Sequence, residues 1–277
     1  MTRWWLVALD VAPDDVDVTS GKMFELGAQG LEERDGSASV TLVASFDDEE
    51  TARAAKDSLG PSARIEVLEG DAWRDAWKEH FRPFRLCQGL WIRPPWEEHT
   101  PKRGERVLVL EPGRAFGTGL HETTSLAAEA LFEHAARFRG SFVLDVGCGS
   151  GILSLVALAL GASRVRAIDI DPDAIVVTRE NAARNGMTLT LDADDTPLER
   201  ATGPYAAVVA NIEARTLTEL APLLVKRVAP GGFIVLAGIL APDAAPLQLD
   251  AVREAYATLR EEEIRRKGDW VTLVLTG

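Results

Sequence analysis

Apolar positions along the chain follow two regimes. Up to about residue 68 they come in short runs. Trp4 to Leu9 reads as a strand, and Asp14 to Gly27 as a helix closing on a glycine. Gly30 to Glu33 and Ser39 to Ala44 read as strands around Arg34-Asp35-Gly36-Ser37. Asp48 to Leu59 reads as a helix opened by acids and stopped by Gly60-Pro61, and Arg64 to Leu68 as a closing strand. The order β-α-β-β-α-β predicts a small α+β ferredoxin-like domain. From Val107 onward the runs lengthen and alternate regularly. Strands are expected at Phe142 to Val146, Arg164 to Ile168, Ala206 to Ala210 and Phe233 to Ala237. Helices are expected at Ile152 to Leu160, Asp173 to Asn185 and Leu217 to Val228. A helix from about Ala245 to Leu259 then precedes two strands joined at Gly268-Asp269. Apolar strands alternating with helices predict an α/β, Rossmann-like sheet, mostly parallel and covered on both faces, with a terminal antiparallel hairpin at one side.

Between the regimes, Asp71 to Phe81 has helical spacing, with Trp73 and Trp77 four apart on one face as packing residues. The Pro- and Trp-marked stretch Phe84 to Pro101 reads as a connector. The expected division is a first domain over 1–69, a linker over 70–95 and a second domain over 96–277. With 43 acidic and 30 basic residues the formal net charge is −13. That disfavours a partner gripped by its phosphate backbone and suits a basic protein partner. Cys87 and Cys148 form no CxxC pair, the first residues lack a signal-peptide pattern, and no apolar run approaches a membrane span. A cytoplasmic protein with no membrane partner is expected.

Candidate chemistry gathers where the second domain's strands end. Leu144-Asp145-Val146-Gly147-Cys148-Gly149-Ser150-Gly151 lies at a strand-to-helix turn, where glycines let backbone approach a ligand closely. The dinucleotide pattern G-x-G-x-x-G would need its third glycine at Ile152. It falls at Gly151, which favours the D-x-G-x-G-x-G form used for S-adenosylmethionine. The next strand ends in Asp169, 22 residues beyond Gly147, where a carboxylate can accept from both ribose hydroxyls. Asp171, before Pro172, reads instead as a helix N-cap. Asn211 ends a later strand with both an acceptor and a donor, which suits an amino group awaiting methylation.

The run Glu111 to Thr124, containing Phe116-Gly117-Thr118-Gly119-Leu120-His121, narrows the match. With the glycine loop, Ile168-Asp169-Ile170-Asp171-Pro172, Ala210-Asn211-Ile212 and Leu236 to Leu240, it closely resembles the ribosomal protein L11 methyltransferase family over roughly Trp96 to Gly277. The resemblance implies methyl transfer from S-adenosylmethionine, leaving S-adenosylhomocysteine, to amino groups of that basic ribosomal protein. It also implies that a small N-terminal domain recognises the substrate. It assigns the cofactor to Thr124, Gly147, Asp169 and Asn211 under a loop of Phe116, Gly117, Thr118 and Gly119. Gly149 belongs to the same glycine turn, and Asn211 is the expected catalytic residue. Thr123 or Thr124 should open a helix whose free amides meet the cofactor's carboxylate. Leu120 departs from the polar or ring-bearing residue expected before His121.

No Ser-His-Asp order or metal-ligand cluster stands out. His121 is the candidate proton acceptor, or else orders the loop. A methyltransferase for a nucleobase or glutamine is the nearest alternative, but Ile212-Glu213-Ala214 provides no flat platform after Asn211. A non-catalytic binding module and a dehydrogenase fit the glycines and Asp169 less well.

Overall fold

The structure is a computed structural model. It describes residues 3–12, 15–28, 30–35, 39–46, 48–69, 81–111 and 121–277. The expected helix over Asp71 to Phe81, with Trp73 and Trp77, therefore lies almost wholly outside the described residues. The chain divides into two compact units, Met1–Phe81 and Arg82–Gly277.

The first unit runs β1 (Arg3–Val11), α1 (Val16–Glu25), β2 (Gly30–Asp35), β3 (Val40–Phe46), α2 (Glu49–Leu59) and β4 (Arg64–Glu69). The strands form one antiparallel sheet in the order β2-β3-β1-β4, as a ferredoxin-like domain requires. Alternation decides its packing. Val7, Leu42, Ala44 and Phe46 turn to one face and bury against Met23, Ala52 and Ala55 of the helices. Asp48 caps α2, its carboxylate accepting from the Thr51 amide at 2.8 Å.

The second unit opens with β5 (Phe84–Cys87), β6 (Leu90–Arg93) and β7 (Arg106–Val109), a three-stranded sheet in that order. Residues 84–93, expected as connector, form a hairpin. Its Leu86, Leu90 and Ile92 are buried in the same core as Leu108 and Leu131. Then follow α3 (Glu122–Glu133), α4 (Ala135–Phe138), β8 (Phe142–Val146), α5 (Ile152–Ala159), β9 (Arg164–Ile168), α6 (Pro172–Arg184) and β10 (Leu191–Asp194). The unit closes with β11 (Tyr205–Asn211), α7 (Ala214–Val225), β12 (Val228–Leu240), α8 (Gln248–Ala255), β13 (Arg260–Lys267) and β14 (Trp270–Thr276).

Seven strands form the main sheet in the order β10-β9-β8-β11-β12-β14-β13. β8 to β12 are mutually parallel, while β14 runs antiparallel to both its neighbours. The terminal hairpin thus inserts its last strand inside the sheet and leaves β13 at the edge. Helices cover both faces, so the central strands are apolar on both sides. Val143, Val165 and Val209 join one core, and Leu144, Ile168 and Val208 the other. From β8 the chain winds outward to β9 and β10, then returns past β8 to β11. That reversal opens a crevice at the carboxyl ends of β8 and β11. Among the described residues, no helix is long and apolar enough to cross a membrane.

Candidate functional site

A cleft of about 840 Å³ occupies the crevice. Gly147 and Gly149, just past β8, line it with Asp169, just past β9, and Asn211, the last residue of β11. Four of the residues singled out from the sequence therefore come together. Phe116, Gly117, Thr118, Gly119 and Leu120 lie outside the described residues.

The glycine loop is fixed from below. The Gly147 amide donates to the Ile168 carbonyl at 2.8 Å. Gly147 has φ +72°, and a Cβ there would meet Ile212 Cγ2 at 2.3 Å. Only glycine fits this position, on conformation and on space alike. Asp169 ties the loop to the neighbouring strand. One carboxylate oxygen accepts from the Gly149 amide at 2.9 Å, the other from the Asp171 amide at 3.0 Å. Each oxygen has a further lone pair for a ligand in the cleft. Asp171 serves its own helix, accepting from the Asp173 amide at 2.9 Å with Pro172 in the first turn. The two acids of the run thus have separate tasks.

Beneath the loop lies Asp145, 1% exposed, its carboxylate accepting from the Ser154 hydroxyl at 2.6 Å. Burial, reinforced by the nearby Asp169 charge, pushes this carboxyl up to about 7, against the pull of the Ser154 hydrogen bond. Both cysteines are buried, and burial raises each thiol well above its ordinary value, which leaves neither available as a thiolate nucleophile.

Asn211 is held from two directions. Its amide nitrogen donates to the Thr124 hydroxyl at 3.4 Å. The following residue, Ile212, is gripped between the glycine loop and Gly238 of β12. Gly238 has φ +87°, and a Cβ there would lie 2.2 Å from the Ile212 carbonyl oxygen. It coincides with a register shift between β12 and β14, so the strand bends where Ile212 presses on it.

The opening of α3 departs from expectation. Its N-cap is His121, whose Nδ1 accepts from the Thr123 amide at 3.3 Å and lies 2.8 Å from the Thr123 hydroxyl oxygen. The Thr124 amide donates to the His121 carbonyl. The amides of Thr123 and Thr124 are therefore already engaged inside the protein. Thr123 forms part of the cleft wall, whereas Thr124 is fully buried and backs Asn211. The His121 ring lines the cleft. Its edge meets Trp270 with centroids 4.9 Å apart. These contacts hold the His121 ring at the opening of α3.

Several cleft residues escaped the sequence reading. Trp270, the first residue of β14, and Gly238 line one wall. Ile170, 98% exposed, stands at the mouth beside Asp169. Asp195, Glu199 and Glu213 add carboxylates. With Asp169 they make every Asp, Glu, Lys or Arg among the described residues lining the cleft an acid.

Comparison with known proteins follows the same lines. A family model described as ribosomal protein L11 methyltransferase matches residues 31–277. A ribosomal protein L11 methyltransferase of Sorangium cellulosum is 54% identical over 252 residues, 86% of this chain and 80% of its own. One from Pelobacter propionicus is 37% identical over 303 aligned positions, 99% of this chain and 97% of its own. The crystal structure of a ribosomal protein L11 methylase from Lactobacillus delbrueckii subsp. bulgaricus superimposes with a TM-score of 0.63 at 34% identity, over 70% of this chain and 98% of that one.

Proposed function

Since this chain belongs to the ribosomal protein L11 methyltransferase family, we propose that it methylates amino groups of that ribosomal protein, on lysine side chains or the N-terminal α-amine, using S-adenosylmethionine. One observation carries the reading. Asn211 ends β11 inside a cleft where the Asp, Glu, Lys and Arg residues in the lining are, among the described residues, all carboxylates. A sulfonium cofactor and an amine that arrives protonated are both cations, and an acid-lined cleft attracts both. The phosphates of a nucleic acid would meet the same carboxylates unfavourably, which weighs against a nucleobase substrate.

The residues present suit the cofactor. The glycine turn admits close backbone approach, and Asp169 keeps acceptor capacity for two ribose hydroxyls. When bound, S-adenosylmethionine supplies an electrophilic methyl on sulfur. The chain's own contribution is alignment and desolvation. In this reading Asn211, braced by Thr124, accepts a hydrogen bond from the substrate amine through its side-chain carbonyl and fixes its direction of approach. The amine must also be uncharged. Deprotonating a free lysine at pH 7 costs about 4.6 kcal/mol, and an α-amine about 1 kcal/mol. Apolar walls such as Ile212 and Trp270 reduce that cost by disfavouring the charged form. The N-terminal ferredoxin-like unit, which contributes none of the cofactor residues named here, takes the role of substrate recognition.

The test is mass spectrometry of ribosomal proteins from a strain lacking this gene. L11 should be undermethylated there and regain its methyl groups on incubation with purified protein and S-adenosylmethionine. Unchanged L11, or restoration on a different protein, would refute the assignment.

A further inference from the structure

A second cavity, of about 440 Å³, shares no lining residue with the cofactor cleft among the described residues. It lies toward the amino ends of the parallel strands, whereas the cleft lies at their carboxyl ends. Its origin is visible in β9. A strand covered on both faces should be apolar throughout. In Arg-Val-Arg-Ala-Ile, Val165 and Ala167 are fully buried on one face, but the other face carries Arg164 and Arg166 before Ile168. The chain returns from β10 to β11 through only a 3-10 turn, Leu198–Arg200, where the other crossovers use full helices. The sheet is thinly covered there, and the gap is walled by residues 200–205.

The groups around this gap are unevenly satisfied. Arg166 is neutralised, with Asp192 and Asp194 each 2.5 Å from its guanidinium. Arg164 makes one long hydrogen bond, to the Leu189 carbonyl at 3.4 Å. The Arg200 side chain makes no hydrogen bond or ion pair among the described residues, although its backbone amide donates to the Pro197 carbonyl. Two guanidiniums with free donors thus face one cavity in a chain of net charge −13. Phe142, the register partner of Arg164 on the adjacent strand, sits at the same cavity and is 56% exposed. Forked N–H donors suit a phosphate, and an exposed aromatic ring suits a flat heterocycle. The volume lies within the roughly 300–1,000 Å³ usual for small-ligand sites.

We propose that this cavity binds a mononucleotide, its phosphate held between Arg164 and Arg200 and its base laid against Phe142. The overall acidity of the chain selects a single nucleotide over a nucleic-acid strand, whose many phosphates it would repel.

The experiment is titration calorimetry on the full chain, its cofactor cleft first saturated with S-adenosylhomocysteine. The probes are guanosine 5′-monophosphate, inorganic phosphate and a short single-stranded RNA. Guanosine 5′-monophosphate should bind more tightly than phosphate. Each of Arg164→Gln and Arg200→Ala should weaken it by about tenfold or more, the loss of at least one charge-assisted hydrogen bond. Phe142→Ala should narrow the gap between nucleotide and phosphate, while Asp169→Ala should leave nucleotide binding intact. Absence of nucleotide binding at millimolar concentration overturns the proposal, as does binding indifferent to both arginine substitutions. RNA bound more tightly than the mononucleotide would make the site a nucleic-acid surface and equally overturn it.

Discussion

Replacing Gly238 by alanine tests whether the grip on Ile212 positions Asn211. The added Cβ would stand 2.2 Å from the Ile212 carbonyl oxygen, a backbone atom that cannot rotate aside. Restoring an ordinary contact moves that carbonyl by close to 1 Å. The residue before it is Asn211, so the displacement passes directly to the side chain proposed to orient the amine. Misplacement of about 1 Å in a reacting constellation costs on the order of 10²-fold in rate. The left-handed backbone at Gly238 adds about 1–2 kcal/mol of destabilisation for any residue with a Cβ. Cofactor affinity should change much less, because the Gly149–Asp169 pairing lies on other strands. The assay pairs single-turnover methylation of L11 with calorimetric titration of S-adenosylmethionine, after circular dichroism confirms a folded variant. A rate near wild type would show that the Ile212–Gly238 contact does not govern Asn211. Equal losses in rate and affinity would point to general damage to the cleft.

Asp169→Asn turns an amide donor toward a backbone amide or a ribose hydroxyl. Calorimetry should show S-adenosylmethionine bound more than tenfold more weakly, from hydrogen bonds worth roughly 1.5–3 kcal/mol each, whereas Asp171→Ala should lower stability by about 1 kcal/mol through loss of the cap and leave affinity unchanged. Asp145 has a carboxyl raised by burial to about 7, so the folded chain holds a proton there that the unfolded chain releases near pH 4. Its contribution to stability is complete below pH 4 and is lost as pH rises toward 7. Calorimetric melting at pH 5 and pH 8 should therefore show Asp145→Asn gaining on the wild type at the higher pH, and a constant difference would refute the buried ionisation. A chain reduced to residues 82–277 should still bind S-adenosylmethionine, as thermal shift would show, but methylate L11 far more slowly, because docking no longer raises the local amine concentration. Equal rates would remove substrate recognition from the N-terminal unit.

What could be read in advance follows from where the information resides. Strands covered on both faces write their burial into largely apolar runs, so β8, β11 and the core of β12 were legible from the sequence. Asp169 and Asp171 were separable because Pro172 marks the first turn of a helix and makes the residue before it a cap. β10 was not legible. As an edge strand it buries only Leu191 and Ala193, and the alternate acids of Leu-Asp-Ala-Asp read as loop. With β10 went Asp195 and Glu199. The β5–β6 hairpin was obscured by its proline- and tryptophan-rich surroundings, although Gly89, with φ +70°, offered a turn signal. Trp270 reaches the cleft only through the insertion of β14 beside β12, a long-range pairing that no local pattern encodes. Gly238 alone left a trace, as a glycine inside an apolar strand.

The carboxylates around the cleft bear on the order in which products leave. In the proposed reaction each transfer moves one positive charge from the cofactor's sulfur to the acceptor's nitrogen. The spent cofactor loses its sulfonium charge and with it part of its attraction to Asp169, Asp195, Glu199 and Glu213. The methylated amine gains what the cofactor has lost. Electrostatics therefore loosens the cofactor product first while the polypeptide stays engaged. Such an order suits repeated methylation during one encounter, because fresh cofactor can enter before the protein substrate departs.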